Sequence, residues 1–282
     1  MATLPVILVA VDGSNQCMDT ITYISRILSP NQINIELFHV KTEAPEAVFD
    51  LGGAEGFSTY EAEISNWNSL YGTQIQDFMD KARKVLTDAG FPPDAVNATI
   101  RSKKIGIARD IIDESELGCS AVVIGPKGFD TLPDFMMGSI AAKLAESITH
   151  VPLVIVGSQP EPHKVLVAFD RSRRIRKGFD KVSRLFSKSL EEILLCHIIR
   201  PLSVPHPVTC TYFTTRTEAH WLDEHSRRIT SRAGAIARDA DTRGFGTIVV
   251  GRRGTTAVEG FTMGRVTRKI LSLAFNKAIW IV

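Results

Sequence analysis

The sequence predicts an α/β fold of two tandem, open, doubly wound parallel-sheet units, the second truncated. Three observations carry this: an internal repeat, short β-branched runs without polar alternation, and amphipathic stretches between those runs. The segment Ile7–Asp12 returns at Val165–Asp170, and Leu37–Val40 at Leu195–Ile198, both offset by 158. Further on, Val122–Gly125 returns at Ile248–Gly251 and Leu153–Val156 at Ile279–Val282, now offset by 126. The register changes once, between Ile198 and Gly251, where the second copy is 32 residues shorter. Duplication followed by one local deletion leaves that pattern, whereas chance similarity scatters the offsets.

In the first copy the apolar runs predict strands near 5–11, 33–40, 95–101, 120–124 and 152–156. Runs lacking polar alternation suit strands covered on both faces, as in a parallel sheet. Helices are expected near 15–29, 58–89, 105–117 and 138–148, the last with Ile140, Leu144 and Ile148 on one stripe. Thr42–Phe57, rich in Gly and Pro, reads as a long loop, and Gly157–Pro162 as a linker. The expected domains are 1–158 and 163–282, in keeping with 282 residues at about 150 per domain. The second copy has only 199–250 between its second and fourth strands. Val208–Phe213 is the β-like run there, Thr217–Asp241 reads as one helical region, and the equivalent of helix 58–89 is expected to be missing. Its loss is expected to bare apolar strand surface, to be covered by the first domain, a second chain or the Pro201–Pro207 loop folded back.

Bulk composition is that of a soluble globular protein, with 44% apolar and 23% charged residues. Runs such as Val6–Val11 are too short to span a bilayer, and no basic-then-apolar leader opens the chain, so a cytoplasmic protein is expected. Cys17, Cys119, Cys196 and Cys210 have no metal or redox spacing and read as reduced thiols. Residues 1–162 hold 11 Lys+Arg against 21 Asp+Glu, a net of −10, whereas 163–282 hold 22 against 10, a net of +12. An acidic half joined to a basic half suggests mutual docking or a basic surface for an anionic partner.

The sharpest local feature is Gly125–Gly128 followed, after nine intervening residues, by Gly138 and Ser139, running from a buried strand into a helix start. Glycines allow backbone to approach an anion, and the free N–H groups of a helix start attract negative charge. Ser139 is placed to cap the helix or to donate to a phosphate oxygen. Neither a Walker loop nor a dinucleotide G-x-G-x-x-G turn is present. Tight helix packing on the sheet is a second reading of the same glycines, and helix capping a second reading of Asp12.

The strand ending Val11-Asp12-Gly13-Ser14, the strand ending His39-Val40 and the G-x2-G-x9-G-S loop, in this order and repeated, resemble the universal stress protein family over nearly the whole chain. The resemblance implies strand order 3-2-1-4-5 in each copy and an ATP or AMP site in the first. There Asp12 would meet the ribose or phosphate region and the Val40 main chain the adenine. Gly125, Gly128, Gly138 and Ser139 would hold the phosphates, with Mg²⁺ carried mainly by the phosphates themselves. It further implies pairing of the two copies through 152–156 and 279–282.

The second copy keeps Gly251, Gly254 and Gly264 but places Arg265 where the hydroxyl residue stood. That guanidinium is expected to fill the pocket, clamp an anion or lie solvated. Arg252, Arg253, Arg171, Arg173, Arg174 and Arg176 are expected to converge on the same sheet edge. His39 and His197 follow strands and read as packing or main-chain hydrogen-bonding residues, and His220 and His225 are wrongly spaced for a metal pair. No catalytic constellation is legible. The sequence therefore predicts a nucleotide-binding regulatory protein acting through conformation, a protein partner or self-association. Enzymatic activity is expected to be slow ATP hydrolysis or self-phosphorylation at most. Nucleic-acid or polyanion binding by the basic half is the third reading.

Overall fold

The computed structural model describes residues 4–42, 57–125, 137–158, 160–169, 173–187, 190–197, 208–213, 227–229, 233–253 and 262–282. In the N-terminal half the elements are β1 (Val6–Ala10), α1 (Asn15–Ile27), β2 (Asn34–Lys41), α2 (Phe57–Asp88), β3 (Val96–Ser102), α3 (Ile107–Ser115), β4 (Ala121–Ile124), α4 (Ser139–Ser147) and β5 (Leu153–Val156). The C-terminal half contains β6 (Lys164–Phe169), α5 (Arg173–Ser183), β7 (Glu192–His197), β8 (Val208–Phe213), β9 (Arg227–Ile229), α6 (Ala233–Thr242), β10 (Thr247–Val250), α7 (Arg265–Leu273) and β11 (Ala278–Ile281). Among the described residues, eleven strands join one sheet, in the order β3-β2-β1-β4-β5-β11-β10-β6-β7-β8-β9. The first five give the expected 3-2-1-4-5 arrangement, all parallel.

Successive strand residues point to opposite faces, so each run feeds two buried layers. On one face Ile7 and Val9 of β1 pack with Ile21 and Ile24 of α1, Met79 and Leu86 of α2, and Phe179 of α5. On the other, Leu8 and Val122 lie with Leu144 of α4, Ile236 of α6 and Ile270 of α7. This is why the strands read as continuous apolar runs.

The two halves meet through β5 and β11, which pair antiparallel. Val154 stands opposite Trp280, its own repeat equivalent 126 residues on. A pseudo-two-fold axis therefore passes through this pair, and each half covers the other's sheet edge. Trp280 is fully buried beneath it, edge-on to Phe186 with ring centroids 5.0 Å apart. Its indole N–H donates to the Tyr23 hydroxyl at 2.9 Å, and Tyr23 lies 2.9 Å from the Thr247 hydroxyl. Main-chain bonds from Ser29 N–H to the Leu185 carbonyl and from Ser187 N–H to the Ile27 carbonyl tie the halves on the same face. Backbones also approach closely at Gly246, where a Cβ would lie 1.9 Å from the Glu161 carbonyl oxygen.

Three expectations for the second half are corrected. First, the β-like run does form β8, but antiparallel to β7 rather than as a parallel third strand. A parallel neighbour needs a crossover of a dozen or more residues, usually a helix, while an antiparallel one is reached by a short return. Second, Thr217–Asp241 is not one helix: Arg227–Ile229 is strand β9, paired antiparallel with β8, and α6 begins only at Ala233. Among the described residues no helix corresponds to α2, so the second half has three helices there against four in the first. Third, the β7 surface finds cover within its own half. Ile193 and Leu195 are buried in one cluster with Phe179, Val182, Leu185 and Phe186, from α5 and the turn after it.

Candidate functional site

Where β1 ends, Asp12 turns the chain into α1. Its carboxylate accepts the Ser14 N–H at 2.9 Å, and the Ser14 hydroxyl accepts the Cys17 N–H at 3.1 Å as the helix cap. Between them Gly13 has φ 84°, a left-handed conformation that glycine adopts without a Cβ penalty. Asp12 is thus both a turn-forming residue and a wall of the adjoining cleft.

That cleft encloses about 310 Å³ at the carboxyl edge of the first half. Its size lies at the lower end of the ~300–1,000 Å³ typical of small-molecule sites. Such a position, beside the β1–β4 boundary where the strand order reverses, is the ligand crevice of open α/β sheets. Of the sequence-selected residues, Asp12, Val40, Gly125, Gly138 and Ser139 all line it. Gly128 lies outside the described residues, as do Pro126, Lys127, Asp170, Arg171, Gly254, His220 and His225.

One wall is apolar, built from Ile107 and Ile111 of α3, Ile124 of β4, and Ile140 and Leu144 of α4. The polar groups Asp12, His39 and Tyr71 also line the cleft. Buried His39 places Nδ1 2.8 Å from the Val11 carbonyl oxygen, the main-chain bond its sequence position suggested. Its Nε2 lies 3.2 Å from the Tyr71 hydroxyl of α2. Burial holds the imidazole below its ordinary pKa, against smaller upward effects from the Val11 bond and the Asp12 charge. Burial, reinforced by Asp12, pushes the Cys17 thiol up, so this cleft residue is no ready nucleophile.

The α4 start supplies the donors. Gly138 is its N-cap residue and no side chain caps the helix there. Ser139 is the first helical residue and is exposed, so its hydroxyl does not cap α4 and the capping alternative is corrected. Helix N–H groups without a side-chain cap are directed donors for an anion. Val40 sits near the end of β2, opposite Arg101 of β3.

Next to the cleft, buried Asp110 of α3 accepts N–H bonds from Lys104 at 2.8 Å and Ile105 at 3.1 Å. Burial alone would raise its pKa, but the backbone donors outweigh this and hold it below the usual carboxylate range. Such a depressed group stabilises the fold above its unfolded pKa of about 3.9, and the benefit is lost as pH falls through the folded value. Asp110→Ala is expected to cost about 1–3 kcal/mol at neutral pH by orphaning these donors. Urea denaturation of both proteins across the acid range checks this; the difference should shrink as the wild-type carboxyl protonates.

The equivalent edge of the second half is differently arranged. Arg252 does not turn to an anion site: its Nη1 donates to the Ala145 carbonyl at the end of α4, across the seam. Burial, then the charge of Arg253, lowers its pKa to about 10, and its Nη2 is buried without a hydrogen-bond partner. Arg253 Nε donates to the Thr262 carbonyl at 3.4 Å, and Thr267 to the Gly251 carbonyl at 2.7 Å. The expected convergence of arginines on an anion is therefore not found at Arg252 and Arg253, which bond main-chain carbonyls instead. Arg265 is exposed at the first position of α7. Among the described residues no group of three or more His, Cys, Asp or Glu could hold a metal ion. Nor is any described helix long and apolar enough to cross a membrane.

Fold and cleft together define an open α/β sheet protein with a small-molecule crevice at its strand ends. No protein-family model matches the chain. It is 25% identical over 151 residues to universal stress protein YxiE of Bacillus subtilis (strain 168), covering 53% of this chain and 96% of that protein. Over nearly its whole length it shares the fold of a universal stress protein from Archaeoglobus fulgidus DSM 4304, with TM-score 0.63 at 15% identity, covering 98% and 97% of the two chains. Protein PA1789 of Pseudomonas aeruginosa PAO1 shares it as well, with TM-score 0.58 at 14% identity, covering 99% and 92%. The chain is thus similar to universal stress proteins in the sequence of about half its length and shares their fold over nearly all of it.

The contact between His39 and Tyr71 was not legible in the sequence. They lie 32 residues apart on a strand and a helix, and no local spacing connects them. Arg252 could have been suspected only from its being a charged residue after a buried strand.

Proposed function

We propose that the N-terminal cleft binds an adenine nucleotide, ATP or AMP, and that the protein is a stress-response regulator whose ligand state alters its conformation or partner contacts. One observation carries this reading: Asp12, Val40, Gly125, Gly138 and Ser139, far apart in sequence, line one cleft beside a helix start without a side-chain cap. The apolar α3–β4–α4 wall suits a flat heteroaromatic base, and the α4 N–H groups suit phosphate oxygens. Mg²⁺ would be carried by the phosphates, since the described residues offer no cluster of their own to hold it. The second half lacks a hydroxyl residue at Arg265, and Arg252 and Arg253 are tied to carbonyls. These features support one site per chain, in the first half.

The test is chromatographic. Protein purified without added ligand is denatured and its supernatant analysed for adenine nucleotides, alongside a titration of stripped protein. Bound ATP or AMP, or its uptake on titration, is the expected result. Stripped protein that takes up neither would defeat the proposal.

A further inference from the structure

We propose that β3 is a self-association edge: two copies of this chain pair antiparallel through Val96–Ser102, about a two-fold axis at Thr99, and extend the sheet across both molecules. The inference is independent of the cleft and of any ligand.

β3 ends the sheet, and among the described residues it pairs with β2 alone. Main-chain groups of alternate residues point to opposite sides of a strand. The Lys103 N–H donates to the Lys41 carbonyl at the end of β2, so the odd-numbered residues of β3 face β2. Ala98, Ile100 and Ser102 therefore turn their N–H and C=O groups outward. Natural sheets blunt such margins with short strands, bulges, proline or charge. The opposite margin, β9, is only three residues long, whereas β3 has seven, no proline and an unbroken register with β2. Arg101, the charged residue within β3, does not guard the margin: it is paired with Glu114 of α3 and lies over the Phe38 ring.

A second copy fits this edge because the two-fold sets each residue opposite a suitable one. Thr99 stands opposite itself, a favourable cross-strand pair. On the same face Asn97 meets Arg101 of the second copy. On the other face Ile100, 40% exposed, meets the small Ala98 and is covered by it. These two residues exchange main-chain hydrogen bonds. Ser102 N–H reaches the Val96 carbonyl of the second copy, while Val96 N–H stays with the Pro93 carbonyl. The ends are complementary as well, since exposed Asp94 precedes the strand and exposed Lys103 and Lys104 follow it. Antiparallel pairing brings these opposite charges together, whereas parallel pairing would align like with like. A contact of this symmetry closes as a dimer.

Sedimentation equilibrium of the full chain over a range of concentrations should show monomer and dimer in exchange. Ala98→Pro removes an outward N–H that β2 does not use, at a position where an edge strand accepts proline. It should weaken the dimer about tenfold or more. Thr99→Lys sets two like charges on the axis and should weaken it in the same direction. Circular dichroism verifies that each variant is folded. Under mild oxidation Thr99→Cys should form a covalent dimer beyond any that wild type forms, because residues opposite each other at a non-hydrogen-bonded pair bring their Cα atoms about 4.5 Å apart. A monomer at every concentration would overturn the proposal. So would a dimer that folded Thr99→Lys leaves intact, or the absence of the Thr99→Cys crosslink.

Discussion

Trp280→Ala is expected to destabilise the protein by about 3–5 kcal/mol, the cost of truncating a large buried aromatic. Trp280 is the centre of the seam: fully buried, opposite Val154 on the pseudo-two-fold axis, and edge-on to Phe186. Its truncation leaves a cavity where the two halves join and removes the indole donor from Tyr23. Tyr23→Phe is the gentler companion. It orphans the buried Trp280 N–H and the Thr247 hydroxyl together, at about 1–3 kcal/mol. Urea denaturation of each variant measures both. A cost below about 1 kcal/mol for Trp280→Ala would mean that the seam does not hold the halves together as described.

The second large effect concerns the cleft. Gly138→Val is expected to weaken ATP or AMP binding by about 10- to 100-fold, equivalent to losing charged hydrogen bonds at the phosphates. Gly138 has φ −63° and ψ 157°, an extended backbone that valine adopts readily, so the substitution should leave the fold intact. Its effect is steric, because two methyl groups stand at the α4 start where an anion would approach the N–H groups. Calorimetry on the folded variant checks this, and unchanged affinity would detach Gly138 from the site.

Much of the fold was legible because burial on both faces leaves a plain record. β1, β2, β4 and β5 lie near the apolar runs that indicated them, and α2 runs from Phe57 to Asp88 where 58–89 was expected. Even the pairing of β5 with β11 followed from the resemblance. What escaped was governed by contacts distant in sequence. β9 is a three-residue strand at the sheet margin, too short for periodicity to register, and it replaced part of an expected helix. β8 looked the same as a parallel or antiparallel strand, since its composition is indifferent to direction and only the shortened connection decides. The site shows the same division. Asp12, Val40, Gly125, Gly138 and Ser139 followed from the family resemblance, but Tyr71 lines the same cleft from a helix that no motif marks. Arg252 is another such case: its partner, the Ala145 carbonyl, is 107 residues away across the seam.

The central claim is a single adenine-nucleotide site, in the first half only. Calorimetric titration of the stripped full-length chain with ATP in the presence of Mg²⁺ tests it most directly. The account expects a stoichiometry of one per chain in wild type, retained in Arg265→Ala and severely weakened in Gly138→Val. Two sites per chain, or a single site that Arg265→Ala removes and Gly138→Val spares, would contradict it.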